Sequence, residues 1–488
     1  MKKTTTVLLL SLILPICNST FSINSCLAQW QPEVRLTNDN SESHTSSNNA
    51  WCVASNGSVV HVVWHDHRDG NTEIYYKRSL DEGVSWSADT RLTSDPASSW
   101  NPSVTVSGSV VNVAWQDDRD GNTEIYCKQS INSGDSWETD TRLTNNASSS
   151  VSPSIAVSGL AVYVVWFDNR DGNEEIYLKR SINGGGSWGT DTRMANNSAI
   201  SRNPSVTASG SAVHVIWEDF REGNWEIYYK GSIDIGANWD ADTRLTNNSS
   251  NSWYPSVSTS GSDVHIVWSD DRDGNSEIYY KGSIDKGVHW DADTRLTINS
   301  AASRTPSVSV SGQAVHVVWD DRSGGGSGEI YYKRSTDAGV SWSSDTQLTV
   351  NFASQNPSVS VSGPAVHVVW RDYRDGNWEI YNKRNPSGNP IGITNIGSEI
   401  PKEFSLGQNY PNPFNPTTKI RFALHNKSFI NLVIYDGLGK EVETIVNEQL
   451  NAGSYEADWN ASNFPSGVYF YRLTTGDFSK TNKMLLIK

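Results

Sequence analysis

Seven tryptophans recur along the chain at intervals of 51 residues. They are Trp64, Trp115, Trp166, Trp217, Trp268, Trp319 and Trp370. Around each one the same pieces return in order: Pro-Ser-Val-x-Val-Ser-Gly, Ala-Val-His-Val-Val-Trp, Gly-Asn-x-Glu-Ile-Tyr-Tyr-Lys, a turn, and Asp-Thr-Arg-Leu-Thr. Each piece is short, β-branched or aromatic, and bounded by turn-forming residues. The repeat therefore predicts four strands and no helix in each copy.

Seven such copies predict an all-β fold, a seven-bladed β-propeller with 51-residue repeats and four strands per blade, followed by a small β-sandwich. The ends of the array also predict how the ring closes. Arg35-Leu36-Thr37 matches Arg91-Leu92-Thr93, whereas the seventh copy stops near Arg384, before its own strand of this type. We therefore expect the N-terminal strand to complete the last blade and to protect its edge.

The turn between the third and fourth strands carries the motif S-x-D-x-G-x-[ST]-W. Ser79 to Trp86 and Ser335 to Trp342 match it at every fixed position, and four other copies are close. Its Asp or Asn and Trp positions are Asp81, Trp86, Asn132, Trp137, Asn183, Trp188, Asp234, Trp239, Asp285, Trp290, Asp337 and Trp342. An Asp or Asn side chain can hydrogen-bond its own turn and a Trp packs into the blade, so we interpret the motif as structural.

This motif resembles the Asp-box, or BNR repeat, of sialidases. The resemblance implies a sialidase-like propeller in which the boxes lie on the face opposite the active site. A second likeness runs through Asp271 to Tyr279 and Arg244 to Asn248, which are similar to repeats of TolB-type propellers. Those propellers serve as binding platforms and not as catalysts, so the two resemblances agree on architecture and differ on function.

The C-terminal part differs in composition. From Phe404 it reads FSLGQNYPNPFNPTTKIRFAL, then IYDGLGKEV, and it ends in KMLLIK. These blocks resemble the type A sorting domain of the type IX secretion system of Bacteroidetes-like bacteria, which implies recognition at the outer membrane and a secreted or cell-surface protein. An ordinary accessory β-domain is the alternative. We expect a signal peptide at 1-28, the propeller at 29-388, a linker at 389-402 and the Ig-like sorting domain at 403-488.

The signal peptide is predicted from Lys2 and Lys3, an apolar stretch from Val7 to Ile16, and a cleavage site at Cys26-Leu27-Ala28. A lipoprotein signal is the alternative. No later apolar segment is long enough to span a bilayer, so no transmembrane segment is expected. The formal net charge of -15 disfavours nucleic acid as a partner. We expect a monomer in which Cys52 and Cys127 are buried thiols.

The most repeated polar groups are Asp-x-Arg pairs, with a Glu just beyond. A catalytic centre occurs once in a chain, whereas these groups occur in nearly every copy, so we interpret them as paired with one another. The pairs are Asp66 with Arg68, Asp117 with Arg119, Asp168 with Arg170, Asp219 with Arg221, Asp270 with Arg272 and Asp372 with Arg374. An Arg stands where a calcium ligand should, so we expect no cofactor, with calcium as the alternative. The five histidines at the phase of His61 are interpreted as satisfied core residues.

Positions that differ between copies carry the candidate binding site. Just before the innermost strands the ring reads Asn49, Trp100, Val151, Arg202, Trp253, Arg304 and Gln355. Two arginines around Trp253 and Tyr254 suit an acidic sugar, by stacking and charge-assisted hydrogen bonds. Aromatic residues also replace polar ones further out, at Phe167, Phe220, Trp225, Tyr373 and Trp378. Neutral drift of loop residues is the alternative interpretation.

Three functions remain open. The first is a secreted or cell-surface module that binds a glycan or polymer without catalysis, using Arg202, Trp253, Tyr254, Arg304 and Trp100. The second is an exo-α-sialidase-type glycoside hydrolase, although the innermost strands are expected to carry no arginine and no unique pair of carboxylates stands out. The third is a structural or adhesive surface protein. Since repeat folds host many functions, the sequence does not choose among them alone.

Overall fold

The computed structural model describes residues 30-47, 51-322, 328-350, 353-386, 394-397, 401-450, 452-461, 464-476 and 478-488. The predicted signal peptide and Asn49 lie outside these ranges. Every regular element in the described residues is a β-strand. A helix that could cross a membrane is not found among them.

Seven antiparallel sheets form the blades, and we number them 1 to 7 by their second strands. The innermost strands are Ser99–Ser107, Ser150–Ser158, Ser201–Ser209, Ser252–Ser260, Ser303–Ser311 and Ser354–Ser362 in blades 2 to 7. In blade 1 this strand has two parts, Ser43–His44 and Val53–Asn56, which both pair with the second strand. The second strands are Val59–Asp66, Val110–Asp117, Ala161–Asp168, Ala212–Asp219, Asp263–Asp270, Ala314–Asp321 and Ala365–Asp372.

The third and outermost strands complete each blade. The third strands are Glu73–Ser79, Glu124–Ser130, Glu175–Ser181, Glu226–Ser232, Glu277–Ser283, Glu329–Ser335 and Glu379–Asn385. The outermost strands of blades 1 to 6 are Thr90–Arg91, Thr141–Arg142, Thr192–Arg193, Thr243–Arg244, Thr294–Arg295 and Thr346–Gln347. These results confirm the seven-bladed propeller.

The N-terminal strand closes the ring. Val34–Arg35 is the outermost strand of blade 7, where Val34 pairs with Asn382. The Leu36 amide donates to the Ile380 carbonyl at 2.7 Å, and Leu36 is buried. The expected completion of the last blade by an N-terminal strand is confirmed.

The core lies between the blades and follows from the repeat. All seven repeated tryptophans are fully buried. In six blades the indole Nε1 donates to the Asp two residues later, as from Trp64 to Asp66 at 3.0 Å. The same carboxylates bind the Asp-x-Arg arginines at 2.5 to 2.7 Å. The repeated charges therefore hold the second-to-third loops in place, and Cys52 and Cys127 are buried free thiols.

The C-terminal region forms two four-stranded sheets around its own apolar core. One contains Thr394–Gly397, Ser405–Leu406, Thr417–Leu424 and Gly453–Asn460. The other contains Ser428–Tyr435, Glu441–Leu450, Gly467–Thr474 and Ser479–Leu486. Trp459 and Tyr471 are fully buried between the sheets, as expected for a small β-sandwich.

Candidate functional site

The seven innermost strands surround a central cavity of about 190 Å³ lined by small side chains such as Ser55, Thr105 and Ala156. The innermost strands begin, and the second strands end, at the same face of the propeller, because the two are antiparallel. Near this end each of blades 2 to 7 has a register shift, as between Arg202 and Ser205. In blade 5 the shift follows Trp253, and the next residue, Tyr254, has a positive φ of +51°.

At this face one cross-strand pair per blade varies while the Ser–Asp pair before it repeats. We call these seven pairs the mouth pairs. They are His44–His65, Trp100–Gln116, Val151–Phe167, Arg202–Glu218, Trp253–Ser269, Arg304–Asp320 and Gln355–Arg371. The mouth pairs therefore make the repeated ring asymmetric at this face.

Two expectations about this ring are wrong. Arg202 and Arg304 lie inside innermost strands, because these strands begin at Ser201 and Ser303 and continue through the register shift. The position assigned to Asn49 in blade 1 is occupied by His44, which pairs with His65 as Arg202 pairs with Glu218.

Arg202 and Trp253 belong to one aromatic cluster. The Arg202 guanidinium forms an ion pair with Glu174 and lies 5.9 Å from the ring centroid of Trp225. The Trp225 ring is 5.7 Å from the Trp253 ring. The Trp253 indole donates to Asp271 Oδ2 at 3.1 Å. Arg202 is thus partly neutralised, and the indole faces provide apolar surface beside it.

Tyr254 lies between two buried carboxyl groups. Glu218 Oε1 accepts the Tyr254 backbone N–H at 2.5 Å, and burial raises the pKa of Glu218 to about 7. On the other side, Asp320 accepts from the Thr305 hydroxyl at 2.9 Å, and burial raises its pKa to about 6. Burial, and then the Glu218 charge, raise the pKa of Tyr254 itself. Carboxyls that change charge near neutral pH are candidates for proton transfer.

Two arginines beside these carboxyls have no carboxylate partner. Arg304 makes no hydrogen bond or ion pair with any residue that the structure describes, although its charge acts on Tyr254 and Asp320. Arg371 donates to Gln355 Oε1 at 2.8 Å and contacts His44 Nδ1 at 3.0 Å, and both partners lack a formal negative charge. Burial lowers the pKa of Arg371. Guanidinium groups that make no hydrogen bond to a carboxylate favour an anionic ligand.

The structure brings four of the five predicted site residues close together. Arg202, Trp253, Tyr254 and Arg304 follow one another on blades 4, 5 and 6. Trp100 lies on blade 2 and has no aromatic or charged contact with this group among the described residues.

Sequence reasoning missed Glu218, Asp320 and Arg371. All three occupy the middle of the Trp-x-Asp motif at the end of a second strand. Across the seven blades this position holds His65, Gln116, Phe167, Glu218, Ser269, Asp320 and Arg371. Seven different residues between two invariant ones are a signal that comparison of the copies could have found.

The Asp-boxes lie at the opposite end of the blades and form closed turns. Asp81 accepts from the Ser85 hydroxyl at 2.6 Å, from the Ser85 amide at 2.8 Å and from the Ser79 hydroxyl at 2.7 Å. These hydrogen bonds lower the pKa of Asp81 to about 2. Trp342 packs edge-on against Tyr280 of the preceding blade at 4.9 Å. The boxes thus shape turns and join blades.

The repeated histidines lie in the core. Four of them contact a tyrosine hydroxyl through Nδ1, as His61 does with Tyr76 at 2.7 Å. His367 differs, because neither ring nitrogen has a partner in the described residues. In the same part of the chain no cluster of three or more His, Cys, Asp or Glu side chains is arranged to hold a metal ion.

A family model for the secretion system C-terminal sorting domain matches residues 408-488. The C-terminal region is a sorting domain of this family. The sorting domain directs export by type IX secretion, to the cell surface or the medium, and makes the secretion machinery a partner of the chain. A comparison with curated proteins finds no matching sequence.

Solved structures resemble the propeller in fold. The polysaccharide lyase Uly1 is 8% identical, with a TM-score of 0.51, and the match covers 73% of this chain and 99% of the lyase. A PL25 ulvan lyase solved with -[GlcA(1-4)Rha3S]- bound is 10% identical, with a TM-score of 0.51 and coverage of 72% and 95%. A Trypanosoma rangeli sialidase is 12% identical over 79% and 84%, at a TM-score of only 0.40. At these identities the likeness concerns the fold alone.

Proposed function

We propose that this exported propeller binds an anionic glycan at the mouth pairs of blades 4 to 7. The observation that carries the proposal is the asymmetry of the mouth pairs in an otherwise repeated ring. Arg304, whose charge acts on Tyr254, and Arg371, which lies against Trp378, have no hydrogen-bonded carboxylate among the described residues. A sugar carboxylate or sulfate would accept hydrogen bonds from the guanidinium groups, and a pyranose ring would stack on an aromatic face.

The fold comparison helps to choose the probe. The glycan seen in the ulvan lyase contains a uronic acid and a sulfated rhamnose, so oligosaccharides of this repeat carry the charges that the proposal requires. That ligand belongs to the lyase. Here it serves as an anionic test compound, with an uncharged cello-oligosaccharide of the same length as its control.

Calorimetric titration of the full-length protein tests the proposal. The acidic oligosaccharide should bind and the uncharged one should not. Arg304→Gln should weaken binding about 10-fold or more, because a charge-assisted hydrogen bond contributes about 1.5 to 3 kcal/mol. Lys286→Gln is the matched control, since it removes one positive charge from an exposed residue on the Asp-box face. Equal binding of both oligosaccharides, or equal loss in both variants, would reject the proposal.

Glycosidic bond cleavage is a second candidate, favoured by the two carboxyls on either side of Tyr254. Glu218 with a pKa of about 7 and Asp320 with a pKa of about 6 can hold or release a proton at neutral pH. Release of reducing ends from the same oligosaccharide, abolished by Glu218→Gln and by Asp320→Asn, would establish cleavage. Binding without such release in the wild-type protein would exclude it for this substrate. A purely structural or adhesive protein would show neither activity.

The domain limits are also proposals. We propose a signal peptide at 1-28 and the propeller at 29-388. The predicted limits of the linker, 389-402, and of the sorting domain, 403-488, need a correction, because Thr394–Gly397 pairs with Gly453–Asn460 in the C-terminal sheet. We propose that the sorting domain includes this strand. Mass spectrometry of the secreted protein would test the first and last limits, since a signal peptidase cut should leave Gln29 as the first residue.

A further inference from the structure

Two blades carry the same aromatic pair on the second-to-third loop. In blade 4 the rings of Phe220 and Trp225 are 5.2 Å apart at 59°. In blade 7 the rings of Tyr373 and Trp378 are 5.3 Å apart at 62°. Phe220 is 39% exposed and Tyr373 is 45% exposed. The two pairs therefore have nearly the same geometry and both reach solvent.

The fold does not require aromatic residues at these positions. In blade 2 they are Asp118 and Thr123, whose side chains hydrogen-bond at 2.7 Å. In blade 5 they are Asp271 and Ser276, joined at 2.5 Å. A polar pair thus closes the same loop, so neutral drift would have had to replace both members of a hydrogen-bonded pair by contacting rings in two separate blades.

Each aromatic pair has an arginine and a further ring beside it. In blade 4 the Arg202 guanidinium lies 5.9 Å from the Trp225 ring, and Trp253 of blade 5 lies 5.7 Å from it. In blade 7 the Arg371 guanidinium lies 4.5 Å from the Trp378 ring. His44 has in blade 1 the position that Trp253 has in blade 5, and its ring lies 6.2 Å from the Trp378 ring. We call these groups the blade-4 platform and the blade-7 platform.

The platforms lie three blades apart in a ring of seven, so they face each other almost across the central opening. Tyr254 and Arg304, on blades 5 and 6, lie on the ring between them. A ligand that touches both platforms must therefore extend across the ring of mouth pairs. A single terminal sugar cannot do this, whereas an extended chain can.

We propose that the ligand is a linear anionic polysaccharide whose chain crosses the ring of mouth pairs, stacking sugar rings on the blade-4 and blade-7 platforms while an acidic group binds Arg304. This rests on the proposed function and adds to it that the ligand is a polymer bound along its length. Contacts linked by one chain reinforce each other through effective concentration, which can raise affinity by about 10² to 10⁴ over a single contact. Affinity therefore rises steeply once the chain spans both platforms.

The test is a length series of the -[GlcA(1-4)Rha3S]- oligosaccharide titrated into the full-length protein. Two double variants transplant the polar pair of blade 2: Phe220→Asp with Trp225→Thr, and Tyr373→Asp with Trp378→Thr. Because this pair already closes the loop in blade 2, both variants should fold, which circular dichroism and thermal melting would verify. The control is Asp118→Asn with Thr123→Ser, which alters blade 2 only.

In the wild-type and control proteins, the ratio of long-chain to short-chain affinity should be 100-fold or more. In either transplanted variant it should fall at least 10-fold. Tight binding of disaccharides with no gain from length would overturn the two-platform proposal and leave anionic glycan binding intact. A ratio of long-chain to short-chain affinity that stays at the wild-type value in both double variants would also overturn the two-platform proposal. Failure of every acidic length to bind would remove both proposals.

Discussion

The Glu218 carboxyl is taken out of water by the fold, and this sets the direction of its effect on stability. Burial raises its pKa from 4.5 to about 7. Between these pH values the folded protein keeps a proton on Glu218 that the unfolded chain has lost. The stabilising contribution of the protonated carboxyl is therefore complete below pH 4.5 and is lost as the pH rises through 7. Glu218→Gln should therefore be more stable than the wild type at pH 8, by about 3 kcal/mol, and similar at pH 4.5. Urea unfolding at the two pH values measures this, and equal destabilisation at both would contradict it.

The core histidines act in the opposite direction. Burial lowers the pKa of His265 from 6.5 to about 4, so the folded protein lacks a proton that the unfolded chain binds between these values. Stability is full above pH 6.5 and falls towards pH 4. His265→Asn copies Asn112 of blade 2. This variant should be about 1 kcal/mol less stable at pH 7, because it loses the hydrogen bond to Tyr280. Its stability should fall less than that of the wild type as the pH is lowered to 4. Melting temperatures from pH 7 to pH 4 check this; parallel curves for the variant and the wild type would refute it.

At the positions of the mouth pairs, the sequence predicted at least one member in blades 2 to 7 and neither member in blade 1. Arg202, Trp253 and Arg304 were found because they differ between copies at one position near a proline. Glu218 and Asp320 lie 16 residues later in the chain and meet them only through antiparallel pairing. Finding them requires the register of the strands, which the register shift at the start of each innermost strand hides.

The Asp-box turns depend on glycine for space as well as for backbone conformation. Gly339 lies in an Asp-box turn and Gly121 lies in the second-to-third loop of blade 2, and both have φ near +91°. A Cβ on Gly339 would overlap the Tyr280 hydroxyl, whereas a Cβ on Gly121 would meet no atom within 4 Å. Gly121→Ala should cost about 1 kcal/mol from backbone strain, and Gly339→Ala about 2 to 4 kcal/mol, because Tyr280 must also move. Denaturant midpoints compare the two, and equal costs would show that space does not matter.

The bounds of the innermost strands were harder to predict than their existence. Pro204 lies between Arg202 and Ser205, where the register shifts. A proline cannot donate to a sheet ladder, so it indicates a strand end or a bulge. Here it is a bulge, and the strand continues on both sides.

For the whole molecule, ring closure depends on a short N-terminal segment. Deleting residues 30-37 removes buried Leu36 and the 2.6 Å ion pair between Arg35 and Glu379. Unfolding should become easier by at least about 3 kcal/mol, and the exposed edge should promote self-association. Melting temperature and light scattering measure both effects. A peptide of residues 30-41 should restore the wild-type values, while the same peptide with Leu36→Asp should not; an intact, monomeric deletion variant would show that closure does not stabilise the ring.

The number of blades and the closure were predictable because every copy repeats the same pattern and each blade depends on its neighbours. The ligand was not predictable in this way, since it depends on the few positions that break the repeat.

A crystal structure of the full-length protein with an acidic -[GlcA(1-4)Rha3S]- oligosaccharide would show where the glycan binds. The sugar should lie across the ring of mouth pairs, with a carboxylate or sulfate within hydrogen-bond distance of Arg304 and a ring against Trp253 or Trp378. A sugar bound on the Asp-box face or on the sorting domain, with the mouth pairs empty at a saturating concentration, would contradict the claim that the mouth pairs form the binding site.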